Sequence, residues 1–350
     1  MIRAVGFVGF VVALSAGAIL APAPPAGSDL RPALRTLLVQ DLKFSADELS
    51  DLERGKVVKH SLPASSAGEV AAVGGVRVRA SKDRFAAAYR DIVRFKKNPS
   101  VLEIGRFNNP PQLADLDGLT INRDDFDLRT CRVGECDIRL PSDVIRRIAS
   151  EADWQHPGAD ERAALLFKHI LFDNVHSYTS GGPGRIIEYD DDKAPIKPVE
   201  DFMAVLKSSP YVETLLPGLS AHLASYPGSQ ISGAEDFLYW SKEKFGIAPF
   251  ISVTHVTLVT TNPREYIATT RDVYSSRYFD ASLALVVASD SLTDPRSFYL
   301  FYANRSRASA LRGAFSRIRR SVVERRVKSS LEENLRAVKS RLETSGQPRP

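Results

Sequence analysis

LRGAFSRIRRSVVERRVKSSLEENLRAVKSRLE, residues 311–343, decides the architecture. Leu311, Phe315, Ile318, Val322, Val323, Val327, Leu331, Leu335, Val338 and Leu342 follow one another at intervals of three or four, apart from the adjacent valines. That is the spacing of one apolar helix face. The stripe runs for roughly eight turns, too long for one short helix to cover, so it must lie along something extended. The chain offers such a surface just upstream. ISVTHVTLVT (251–260), YIATTRDVYSSRYFDASLALVV (266–287) and RSFYLFYANRSR (296–307) have the period of strands and are separated by Asn-Pro and Asp-Pro turns.

Nearer the start, GVRVRASKDRFAAAYRDIVRF (75–95) changes rhythm in its middle. Val76 and Val78 alternate with Arg77 and Arg79, as in a half-buried strand. From Phe85 the apolar residues Ala88, Tyr89, Ile92 and Phe95 keep helical spacing, and Ser81 stands where a hydroxyl caps a helix. SADELSDLERG (45–55) carries a capping-box pattern ahead of a short helix ending at Gly55. KVVKHSL (56–62), EVAAVGGVRVRA (69–80) and VLEIGRF (101–107) read as strands, and residues 108–127, rich in Pro, Asp and Asn, as loop. From Pro141 to Ser232 the pattern is helical, with ADERAALLFKHILFDNVHSY (159–178) the strongest segment and Pro210, Pro217 and Pro227 breaking the later ones. The expectation is an α+β fold in which a curved antiparallel sheet grips a long C-terminal helix. Residues 41–140 and 233–345 form its two halves, and 141–232 an inserted helical subdomain.

The first forty residues are expected to stand apart. Ala4–Leu20 is uncharged and follows Arg3, the pattern of a secretory signal; at seventeen residues it also fits an uncleaved anchor at the lower limit of a bilayer span. Residues 21–40 then read as a linker. Export places the protein in a periplasmic or extracellular setting, where Cys131 and Cys136, the two cysteines, are expected to bridge a small loop around Gly134. The formal charge of +5 is concentrated near the C-terminus, where Arg305, Arg307, Arg312, Arg317, Arg319, Arg320, Arg325, Arg326 and Lys328 face Glu324 alone within their stretch. In an exported chain such a patch, above all Arg319, Arg320, Arg325 and Arg326, points to an anionic membrane surface and not to nucleic acid; a solvated helix face explains it equally well.

The strand and helix of 76–95, the helical detour and the final helix laid over antiparallel strands together resemble the helix-grip superfamily of START lipid-transfer domains, pollen-allergen-like and polyketide cyclase-like proteins. The resemblance rests on VRVRASKDRFAAAYRDIVRF near the start and on FYLFYANRSRAS with the C-terminal helix at the end. It implies a hollow between sheet and helix that takes a hydrophobic small molecule such as a lipid, sterol or isoprenoid. Phe279, Ala281, Leu283 and Leu285 are expected to face that hollow, with Val253, His255 and Tyr302. Arg277 would sit at its mouth to hold an acidic head group. The alternative is that these residues simply fill a core.

Catalytic motifs are sparse. GLSAH (218–222) lacks the last glycine of a nucleophile elbow, and TSGGPGR (179–185) lacks the lysine of a phosphate loop. His169, Asp173 and His176 share a helix face, but no internal glutamate base accompanies them, and solvent exposure explains them as well. No cofactor or metal is implied. The leading expectation is an exported binding protein for a hydrophobic molecule. A pocket enzyme of cyclase, isomerase or hydrolase type, with His255 as base, is one alternative; an envelope protein that docks a partner through its basic helix is the other.

Overall fold

The computed structural model describes residues 29–190, 195–245, 248–312 and 316–344, with side chains in the last segment from Arg320. The signal or anchor segment and residues 21–28 of the linker lie outside the described residues, as do the side chains of Phe315, Arg317, Ile318 and Arg319.

In chain order the elements are α1 (Pro32–Gln40), α2 (Ala46–Glu53), β1 (Val58–Ser61), β2 (Glu69–Val78), α3 (Lys82–Arg90), α4 (Ile92–Phe95), β3 (Val101–Arg106), α5 (Ser142–Glu151), α6 (Ala159–Gly181), α7 (Pro198–Lys207), α8 (Tyr211–Leu215), α9 (Leu219–Ser225), β4 (Ala234–Lys244), β5 (Pro249–Asn262), β6 (Glu265–Ser275), β7 (Ala281–Asp290), β8 (Phe298–Arg307) and α10 (Ser316–Thr344). The strands form one open, curved sheet in the order β1-β2-β8-β7-β6-β5-β4-β3, every neighbouring pair antiparallel. The expected fold class is observed. β4 forms where the sequence pattern assigns no strand.

Local chemistry sets the element ends. Ser45 closes a full capping box with Glu48, its hydroxyl accepting from the Glu48 amide while its own amide donates to the Glu48 carboxylate. Ser81 caps α3 as expected. The helix expected over 81–95 is interrupted at Asp91, whose carboxylate accepts from the Arg94 amide and starts the short α4. Residues 32–40, read from sequence as linker, form α1 instead, and its Leu34, Leu37 and Leu38 are buried in the main core.

Both faces of the sheet are covered. On one face Leu283, Leu285, Val287, Phe301 and Ala303 pack against α1, α2 and α7–α9. Further along that face, Leu238, Ile251, Val253 and Tyr274 pack against α5 and α6. The helices of 141–232 therefore share their cores with the strands and form the layer behind the sheet. The opposite face carries α3, α4 and α10, which meet Val76, Val256, Ala268, Val286 and Leu300. α10 lies over the β1–β2 edge, where Gly74 lets it approach: a Cβ there would stand 3.0 Å from Leu335 Cδ1 and 3.2 Å from Leu331 Cδ2. Leu331, Leu335 and Leu342 are buried, whereas Val322 is 59% exposed. The packed part of the stripe is its C-terminal half.

Candidate functional site

Between α10 on one side and α3–α4 on the other, the middle of the sheet is left uncovered. A hollow of about 370 Å³ opens there, within the range of small-molecule sites. Its walls are apolar: Phe85, Tyr89, Ile92 and Phe95 from the α3–α4 side, and Val327, Leu331, Leu335 and Val338 from α10. Phe245, Phe250 and Phe279 close one end as an aromatic cluster, with Phe245 5.3 Å from Phe279 and 6.3 Å from Phe250 between ring centroids. The guanidinium of Arg326 lies 5.4 Å from the Phe245 ring.

The floor is different. Ser252, Thr254, Thr270, Asp272, Ser282, Tyr302, Asn304 and Ser306 project into the hollow from four adjacent strands. The alternation of each strand puts them there, with Thr254 across from Asp272; a β-bulge just beyond, between Thr254↔Asp272 and Val253↔Tyr274, adds Val273 to β6 and turns Tyr274 to the rear face. The Thr254 hydroxyl donates to Asp272 Oδ1 at 3.2 Å. Burial is the largest influence on the Asp272 carboxyl and raises its pKa to about 7; nearby Glu243 pushes the same way, while Thr254 and Lys96 oppose it.

Lys96 and Glu243 form the second charged feature of the hollow. Lys96 Nζ donates to Glu243 Oε1 at 2.7 Å and to the Tyr239 hydroxyl at 3.2 Å. Burial works against both charges, but each holds the other ionised, so the Lys96 pKa rises and that of Glu243 falls from the ordinary value. The pair is internally neutral.

Of the residues expected to face the hollow, Phe279 and Tyr302 do. Leu283 and Leu285 do not. They lie on the alternate pleat and belong to the core behind the sheet, while their neighbours Ser282 and Val286 face the hollow. His255 also points to the rear face, 1% exposed, and cannot act as a base in the hollow. With Val253 packed against the rear helices, that expectation fails too. Arg277 braces the disulfide-bearing loop instead of gating the hollow: its guanidinium donates to the carbonyls of Asp137 (2.7 Å) and Pro249 (2.9 Å) and lies 4.9 Å from the Phe126 ring. Cys131 and Cys136 are joined, as expected.

His255 belongs to a buried polar cluster that ties α6 and α9 to β4 and β5. Asp236 Oδ1 accepts from His222 Nε2 (3.1 Å), His255 Nε2 (3.0 Å) and the Thr257 hydroxyl (2.7 Å). His222 Nδ1 faces the Ser229 carbonyl at 2.8 Å. Both His222 nitrogens thus meet acceptors, which calls for the protonated ring, and although burial opposes it, Asp236 raises the His222 pKa. His255 differs because its Nδ1 takes the Tyr178 hydroxyl at 2.8 Å; burial, the largest influence, lowers its pKa and keeps the ring neutral. None of its side chains lines the hollow, and its chemistry is that of a latch.

His169, Asp173 and His176 are exposed on the outer side of α6, His176 stacked on Phe172. Among the described residues no group of three His, Cys, Asp or Glu side chains is arranged to hold a metal ion, and no helix is long and apolar enough to cross a membrane. The basic stretch is partly neutralised: Arg305 pairs with Glu69, and Arg307 and Arg312 with Asp201. Arg320, Arg325 and Arg326 remain, with Arg325 and Arg326 exposed. No protein-family model matches the chain, and no curated protein matches it.

Proposed function

We propose that the protein binds one small, largely hydrophobic molecule in the hollow between the sheet and α10, and that it does so after export. The observation that carries this is a cavity of about 370 Å³ with mainly apolar walls and a floor of polar groups. The helix-grip resemblance and the Cys131–Cys136 bridge support it. The protein is a carrier or sensor in this reading. Arg320, Arg325 and Arg326 then offer a contact to an anionic membrane, next to the end of the hollow that Phe245 closes.

Titration with a fluorescent fatty alcohol and a fluorescent sterol tests this. Saturable uptake of one molecule per chain is expected, abolished by Ser330→Trp, which adds an indole from α10 into the hollow without touching the sheet. No uptake of either probe, or uptake unchanged by Ser330→Trp, would count against the hollow as the binding site.

A further inference from the structure

Four charged side chains line the hollow: Lys96, Glu243, Asp272 and Arg341. Arg341 is exposed at the rim, where its guanidinium donates to the carbonyls of Phe95 (2.6 Å), Lys97 (3.2 Å) and Arg94 (3.3 Å). Lys96 and Glu243 satisfy each other. Asp272 is the remainder, a carboxyl in no ion pair among the described residues, with Lys96 acting on it only from beyond salt-bridge distance. One oxygen accepts from Thr254; the other has no protein donor among the described residues and is not sealed away from the hollow. Thr270, two residues back on the same face of β6, and Tyr302, opposite Val286 on β8, also line the hollow, and among the described residues neither hydroxyl has a hydrogen-bond partner. A carboxylate kept from water without a counter-charge is costly, and proteins normally pair it.

We propose that the molecule bound in this hollow carries a single basic nitrogen, whose ammonium group docks on the open oxygen of Asp272 and donates its further N–H groups to the Thr270 and Tyr302 hydroxyls. The inference rests on the hollow being a binding site and adds the chemistry of the head group: a long-chain or polycyclic amine, with its hydrocarbon between Leu300 of the floor and Leu331 and Leu335 of α10. An ammonium has three donors and no acceptor, which suits three acceptors that lack partners. The charged and titratable groups that line the hollow with Asp272 are Glu243 and Tyr239 of β4, Lys96 after α4, Tyr89 of α3 and Tyr302 of β8, with Arg341 at the rim, and Thr254, Lys96 and Glu243 act on it directly. Glu243 ionises below the range between pH 5.5 and 8, and Lys96, Tyr89 and Tyr302 above it, so Asp272 is the group of this set that changes charge within it.

Calorimetric titration of the full chain with decylamine, decanol and decanoate separates head group from tail. At pH 8 decylamine is expected to bind at least about tenfold more tightly than decanol, and decanoate most weakly. Between pH 7 and 5.5 decylamine affinity should fall by about tenfold per pH unit as Asp272 takes up a proton, while decanol affinity stays level. Asp272→Asn should remove both the preference and the pH slope and leave decanol binding intact, which also shows that the variant folds. Equal affinity for decylamine and decanol, a preference for decanoate, or a slope that survives Asp272→Asn would overturn the amine while leaving the hollow in place. Failure of all three to bind would overturn both.

Discussion

Replacing Asp272 by asparagine should stabilise the protein above neutral pH. Its carboxyl titrates near 7 in the folded state against an ordinary value of 3.8. One pH unit of separation corresponds to about 1.4 kcal/mol, so ionising the buried group costs the folded state up to about 4 kcal/mol relative to the unfolded chain. The true figure is lower to the extent that water in the hollow solvates the carboxylate, which sets an expected range of about 1–4 kcal/mol. The sign follows from which state holds the proton. Between pH 3.8 and about 7 the folded protein keeps it and the unfolded chain has lost it, so stability is withdrawn as pH rises through that window and stays low above it. Asparagine is neutral throughout and still accepts from Thr254. Urea unfolding of both proteins at several values between pH 4 and 8.5 gives the answer. The difference should be near zero at the acid end and grow in favour of Asp272→Asn towards the alkaline end. A difference that does not change with pH, or a wild type that gains on the variant as pH rises, would refute the burial argument.

Gly74→Val should cost about 1–3 kcal/mol by overpacking, because its Cβ would meet the Val58 carbonyl at 2.7 Å as well as Leu331 and Leu335; weakened probe binding in the hollow should accompany it, and Gly184→Ala, which meets nothing within 4 Å, serves as the neutral control. Asp236→Asn should lose about 3–5 kcal/mol in urea unfolding, since the buried, protonated His222 ring loses the carboxylate that balances its charge. Ligand uptake by the folded fraction should be unchanged, because the cluster lies on the other face of the sheet. Cys131→Ser should cost about 2 kcal/mol, the chain-entropy value for a loop this short, and wild type in reductant should match it.

The period of the strands and of the last helix was legible because each has a long repeat that only one element satisfies. The orientation of β7 was not. ASLALVVASD is buried almost throughout, because helices cover the sheet on both sides, so alternation carries no label for either face. Leu283 and Leu285 were assigned to the hollow on the assumption that a hydrophobic site is lined by the most apolar face. That face instead fills the solid core, where close packing rewards it, while the polar residues collect in the hollow, where solvent or a guest can meet them. Thr254, Thr270, Asp272, Asn304 and Ser306 share the hollow face by alternation, but His255, Thr269, Arg271 and Arg305 beside them are polar as well, so polarity marked neither face. The bulge after Asp272, which turns Tyr274 to the rear face, leaves no mark in the hydrophobic pattern. α1 was missed for a simpler reason: proline at its first position starts a helix as readily as it continues a linker.

The central claim is that the space under α10 is occupied when the protein works. Native mass spectrometry of protein taken gently from its source, beside the Ser330→Trp variant prepared in parallel, addresses it without any guess about the guest. The account predicts one added mass per chain, released as a single organic amine on unfolding and missing from the variant. The bare polypeptide mass in both preparations, with no adduct regained on exposure to a lipid extract, would contradict it.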